Sequence, residues 1–336
     1  MKKTIFAALA VCAVSAMMAQ TSQGNDSEVS QTGDFNNASV EQTGTINSNE
    51  LKTIGDSNTS TVTSLGRNNN NKNSQAGDGN NFDVFQDGSN QTSRINQGQV
   101  NSTGTVSRTG NDNEADVSQL GNGNVSVINQ LGATGQDISD DNEARVSQNG
   151  DDNDSNVRQD GDFNFTNVSQ VGDLNGTDVF QDGDMNRAIS RINRDGNMVA
   201  IDQVGFDNNV VSEVFGNNNN VLISQTGDDN SALSDINGGD DNDVDFVQVG
   251  DRNNAGDDFL PGDGVYIEGN GNTASISQNG DDNTAWTRTF GNGNTSTIMQ
   301  TMNNNTASAI QNGDDNVSNI SQTGNMNMAT VVQTNN

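Results

Sequence analysis

Beyond the first two dozen residues, apolar side chains form no long runs. They recur at a fixed interval. Val29-Ser30-Gln31-Thr32-Gly33 returns as Val40-Glu41-Gln42-Thr43-Gly44, and later as Val168-Ser169-Gln170-Val171-Gly172 and Val179-Phe180-Gln181-Asp182-Gly183. The unit is apolar-x-Gln-x-Gly-x-x-Asn-x-small-x, with a period of 11. Its small, apolar and Gln positions are two apart, which places them on one face of a β-strand. Ala38, Val40 and Gln42 therefore face one way, and Ser39 and Glu41 the other. Five residues of strand leave six for a turn. There Gly supplies unusual backbone angles, and Asn tolerates them or bonds nearby backbone. The unit occurs 27 times and the Gln position holds Gln in 19 of them. A polar residue kept that often between apolar ones belongs to an interior column rather than to a surface.

A second period of 22 overlies the first: Ser190, Ser212 and Ser234 align, as do Ile192, Val214 and Ile236. Stacking explains this if one rung is strand, arc, strand, arc and residue i lies under residue i+22. The predicted fold is all-β, a two-sheet β-solenoid. Its thin core alternates Val/Ile columns with Gln and Asn columns that hydrogen-bond along the stack. The expected ladder includes Val40, Gln42, Asn47, Val84, Gln86, Val168, Gln170, Asn175, Val179, Gln181, Gln300 and Gln311. Taken in pairs, the second unit lacks Gln only at Ser64 and Arg108. Arg108 points inward by phase, so either it reaches the rim or its rung is distorted. Extra residues fall near 131–143, at Gly238-Gly239 and near 249–262, and all are expected on arcs. Twenty-seven strands then make about 13.5 rungs, ~65 Å long, with an odd half-rung at one end.

Composition sharpens this reading. Only 29% of the 336 residues are hydrophobic, too few for one thick core but enough for a solenoid one side chain deep. The formal net charge of -31 repels nucleic acid and anionic membrane. Lys2, Lys3, the apolar run Ile5–Met18 and Ala19 before Gln20 read as a secretory signal peptide over 1–19, with the repeat domain over 20–336. That leader contains the single Cys, Cys12, and the chain has no His. Imidazole- and thiolate-based catalysis is excluded with them, and neither an enzyme nor a cofactor is expected.

Asp-Asp-Asn follows Gly at Asp151, Asp228, Asp240, Asp281 and Asp314. Such arcs are oxygen-rich enough for calcium, but solvated turns that slow premature assembly account for them as well. Trp286, Phe85 and Phe180 take outward strand positions, where a glycan platform is conceivable. Arg145, Arg158, Arg187, Arg191 and Arg194 read as neutralising acidic columns. A monomeric solenoid binding calcium or glycans is the alternative to a structural role.

The pattern Gln-x-Gly-x-x-Asn-x-small-x-x-x-Gln, as from Gln31 to Gln42, Gln75 to Gln86, Gln148 to Gln159 and Gln300 to Gln311, resembles the curlin repeat. Curlins are subunits of curli, the extracellular amyloid fibres of bacterial biofilms. The resemblance implies export through an outer-membrane pore, nucleated polymerisation at the cell surface, and partners comprising that pore, a nucleator subunit and a periplasmic chaperone. The acidic charge argues against a nucleic-acid partner, and no stretch after residue 20 is apolar enough to span a bilayer, so no membrane insertion is expected. This chain has more than twice the usual number of repeat pairs. The first rung, with Val29 and Gln31, and the last strand, with Val331 and Gln333, both carry the motif. No capping repeat is expected, so copies would add head to tail along the same ladder.

Overall fold

The computed structural model describes residues 24–100, 106–108, 111–131, 141–256 and 264–335. The expected leader lies outside them. Every regular element described is a strand, most of them seven residues long with alternating burial. The strands join two parallel sheets. The first holds 13 strands, from Asp26–Thr32 to Val317–Thr323, and the second holds 14, from Asn37–Thr45 to Met328–Thr334. Successive strands alternate between the sheets, so the chain winds as a β-solenoid. The core is the seam between the sheets, built from columns such as Ile95, Ile128, Val157, Val179, Ile201 and Ile223 against Val62, Val84, Val117, Val146 and Val168. Side chains of like type stack because pairing is parallel and in register, as in Val168 over Val146 and Gln170 over Gln148.

One strand expected in the stack is missing from it. Asn81–Ser89 pairs with Glu114–Asn122, and Thr92–Gln97 with Val125–Leu131, both at an offset of 33 rather than 22. The intervening unit is left out of both sheets, and its Gln99–Val100 and Val106–Arg108 pair antiparallel with each other. The reason is in its residues: Ser102 stands where Asn belongs and Arg108 where Gln belongs. A guanidinium in the Gln column would be a buried charge without a counter-ion, which costs several kcal/mol. Two expectations are corrected by this. Thirteen rungs form, ~60 Å long, with no odd half-rung. The pair phase also reverses across the omitted unit, so Gln42, Ser64 and Gln86 share a sheet with Gln119 and Gln148, not with Gln130 and Gln159.

The first insertion connects Val125–Leu131 of one sheet to Glu143–Asn149 of the other, and so sits on an arc. The second does not. Asn254–Ala255 and Val265–Glu268 flank it, and both pair with the same neighbour, Ser231–Asn237. The insertion therefore opens in the middle of a strand. Ala255 and Val265 fill the two core positions on either side of the break and are fully buried, which holds the rung together.

Most described arcs carry two left-handed residues. One is usually Gly: at Gly183, φ is +116° and a Cβ would come 2.1 Å from the Gly205 carbonyl oxygen. The other is the residue before the Asn, and it need not be small: Phe35, Phe163, Leu174 and Met185 all have φ near +60°. The Asn itself is not left-handed. Backbone bonds between rungs continue through the arc, as from Leu174 N–H to Asp151 O at 3.0 Å, and hold the strained residue in place.

Candidate assembly columns and end faces

The polar columns are continuous hydrogen-bond ladders. In the first sheet, Gln75, Gln97, Gln130, Gln159, Gln181, Gln203, Gln225, Gln248, Gln278, Gln300 and Gln322 form one chain of amides, each Nε2 donating to the next Oε1 at 2.8–3.2 Å. In the second sheet the chain runs Gln86, Gln119, Gln148, Gln170, stops where Ile192 takes the position, and resumes from Gln311 to Gln333. The second hydrogen of most of these amides goes across the core to a backbone carbonyl, as from Gln181 to Phe165 O at 3.1 Å. Most of these buried amides therefore bind two rungs of their own sheet and one strand of the other.

The Asn columns lie at the strand entrances. Asn58 donates its backbone N–H to Asn36 Oδ1 at 3.0 Å and its Nδ2 to Gly77 O at 2.9 Å. Asn175 bonds to Asn153 and Asn47 to Asn25 in the same way. This joins every arc to the rungs on either side of it.

Sequence reasoning missed the role of the acid after Gly. Its Oδ1 accepts the backbone N–H of the arc one rung earlier: Asn122 to Asp151 at 2.8 Å, Phe206 to Asp228 at 3.0 Å, Asn217 to Asp240 at 2.8 Å, Asp251 to Asp281 at 3.1 Å and Asn292 to Asp314 at 2.8 Å. The signal was available, since Asn replaces Asp there and only an acceptor is required. Among the described residues, no three acidic side chains gather as a metal site would need. Several outward acids lie on rungs with other acids. Burial, and then Glu213 one rung away, push Asp235 up to about 6. Burial first and neighbouring acids second also raise Asp116, Asp154, Asp202 and Asp245. Arg145 pairs with Glu143 at 2.5 Å, Arg158 with Asp160 at 3.3 Å, and Arg191 with Glu213. Arg158 also lies over the Phe180 ring and Arg288 over that of Trp286.

The expected ladder residues fall into two groups. Val40, Gln42, Val84, Gln86, Val168, Gln170 and Gln311 are in the second sheet, while Val179, Gln181 and Gln300 are in the first. Asn47 and Asn175 are buried at arc exits. The end residues are partly open. Val29 is 44% exposed, and Gln31, Gln42, Val331 and Gln333 are half-buried, whereas Val168 and Gln170 are fully buried. The edge strands Asp26–Thr32 and Met328–Thr334 thus present core-type side chains that no described neighbour covers on one side.

Five segments, residues 140–161, 195–227, 239–280, 269–301 and 303–334, match the model of the curlin associated repeat. No curated protein matches the chain. The matched segments are rungs whose buried amides form the ladders described above, so the chain carries curlin associated repeats on a two-sheet stack.

Proposed function

We propose that the chain is the secreted structural subunit of a curli-like extracellular fibre, adding copies head to tail through its end rungs. The curlin-repeat family is structural rather than enzymatic, and its members assemble into fibres. The observation that carries the reading is the pair of open edge strands with core-type residues, Val29 and Gln31 at one end and Val331 and Gln333 at the other. An unpaired parallel edge of this kind is a template for a further rung. On this reading, residues 1–19 direct export and residues 20–336 form the fibre unit. An outer-membrane pore, a nucleator and a chaperone serve it in transit, and biofilm cohesion or surface adhesion is the result.

The test is release of the chain lacking residues 1–19 from denaturant, followed by thioflavin fluorescence and fibre diffraction. Reflections near ~4.7 and ~10 Å are expected. A β-rich monomer that stays in solution for days would sink the reading.

A further inference from the structure

The two ends of the solenoid are chemically different, because every amide column has a direction. In the Gln columns the nitrogen is fixed by its second bond, made to a backbone carbonyl that can only accept: Gln300 Nε2 reaches Thr284 O at 3.0 Å, and Gln322 Nε2 reaches Thr306 O at 3.0 Å. The other hydrogen then points to the next rung toward the C-terminus. In the Asn columns the backbone N–H is the donor, so their direction is equally certain, and it is opposite. Asn305 donates to Asn283 at 3.0 Å, and Asn327 to Asn305 at 3.0 Å.

At the C-terminal face, Gln322 and Gln333 have each spent one amide hydrogen on a backbone carbonyl, at 3.0 and 2.7 Å. Each has a second that reaches no described residue. Asn316 and Asn327 turn their Oδ1 atoms to the same face, since their backbone N–H groups bond to the preceding rung; the Asn327 Nδ2 does so too, while the Asn316 Nδ2 donates to Asn335 Oδ1 at 3.3 Å. At the N-terminal face the roles are exchanged. Gln31 and Gln42 stand at the first rung, next to Thr53 and Ser64, and among the described residues no amide donates to their Oε1 atoms; Gln42 Nε2 bonds to Asp26 O at 3.2 Å, while Gln31 Nε2 is buried without a partner. Asn25 and Asn36 lead theirs with their backbone N–H groups outward, while their Oδ1 atoms accept from Asn47 and Asn58.

We propose that these four column ends select the orientation of the joint between copies: Gln322 donates to Gln31 of the next copy, Gln333 to its Gln42, and its Asn25 and Asn36 donate to Asn316 and Asn327. The partner is a second copy of this chain, and the inference rests on the fibre reading given above. The backbone alone does not choose, because an open strand edge pairs with either a parallel or an antiparallel neighbour. Like ends could meet only antiparallel. Centred on the apolar position, that pairing would set Gln333 opposite Ala329 and bury its remaining hydrogen without an acceptor. An unmade buried bond of this kind is enough to disfavour the wrong joint. The charges agree. The outward positions of Asp26–Thr32 include Asp26 and Glu28, while those of Val317–Thr323 and Met328–Thr334 have no charge. The head-to-tail joint therefore sets Asp26 and Glu28 beside the uncharged Val317 and Asn319, whereas a head-to-head joint brings two acidic strands together.

The experiment uses single cysteines in the chain lacking residues 1–19, which has none of its own. Ser30 and Ser321 are exposed and would be rung neighbours across the joint. Their Cα atoms would be ~4.8 Å apart, within disulfide range. A mixture of Ser30→Cys and Ser321→Cys chains, polymerised and then oxidised, should give heterodimers, and either variant alone at least tenfold fewer homodimers. Adding Gln322→Met with Gln333→Met should lower the heterodimer yield at least tenfold at equal fibre mass. Gln148→Met with Gln203→Met, the same change inside the columns, should leave it unaltered. If the unmodified chain forms no fibre, the reading as a fibre subunit fails. If fibres form but single and mixed variants cross-link alike, or the end and interior substitutions act alike, the fibre reading stands and the polarity is overturned.

Discussion

The rungs from Ser48 to Gln97 and those from Glu143 to Val249 have the same backbone but different interiors. In the later rungs the column facing the second sheet reads Val179, Ile201, Ile223 and Phe246, flanked by Val199, Val221 and Val244, all buried. In the earlier rungs the corresponding column reads Leu51, Asn73 and Ile95, flanked by Asn49, Asn71 and Ser93. There Asn71 Nδ2 reaches Ser64 Oγ and Gln86 Oε1 at 2.8 and 2.9 Å, while Asn49 Oδ1, Asn71 Oδ1 and Asn73 Nδ2 are buried without a partner. The five family matches begin only at residue 140. The difference teaches that rung geometry is set by what both regions share, namely the amide ladders, the arc Gly and the left-handed arc residue. Apolar packing adds stability where it is present and is not needed for the rung to form.

This comparison can be broken from either side. The largest effect is expected for Ile223→Asn, which puts the earlier interior into the later rungs. Lost apolar burial plus an unsatisfied amide should cost ~3–5 kcal/mol in denaturant unfolding. Gly55→Ala and Gly183→Ala test what the regions share. Both positions have φ above +110°, and an added Cβ would meet a carbonyl oxygen at 2.0 and 2.1 Å. Each should cost ~2–3 kcal/mol, and a cost confined to one region would show that the arcs are not equivalent. Asn73→Ile repairs the earlier column. It should stabilise by ~1–2 kcal/mol, visible as slower amide exchange between Ser48 and Gln97.

Ser212→Ala should stabilise slightly, by ~0.5–1 kcal/mol, because the Ser212 hydroxyl is buried and unpartnered between Ser190 and Ser234. The smallest effect concerns pH. Asp235 has a folded value raised to about 6 from 3.8, so its ionisation destabilises the fold. Stability should fall as pH rises from 4 to 6 and stay lower above that. Asp235→Asn should lessen this slope, to which the other raised acids also contribute, and raise the melting midpoint more at pH 7 than at pH 4.

Most of the architecture was legible because spacing alone encodes it. The alternation of Ala38, Val40 and Gln42 fixes strand faces, and the 22-residue recurrence fixes the stack. Three features were not. The unit holding Arg108 keeps phase, and its inward charge and the Ser102 in place of Asn point to a distorted rung without showing that the whole unit leaves the ladder. The residues from 249 to 262 look like a long arc, since nothing in them marks Ala255 as already inside a strand. The ladder directions are invisible in sequence, because Gln offers both a donor and an acceptor. They follow only once a backbone carbonyl, such as Thr284 O facing Gln300, claims the nitrogen.

The unit set aside between Gln97 and Glu114 bears on how such a chain could lengthen. A coil of half-turn modules has a parity: duplication of a single 11-residue module exchanges the roles of the two sheets for everything downstream. A duplicate that is looped out restores the original assignment at no cost to the modules around it. Copy number in this chain is thus free to drift one module at a time rather than only in pairs, and a misfit module can persist as raw material for a loop with a different task.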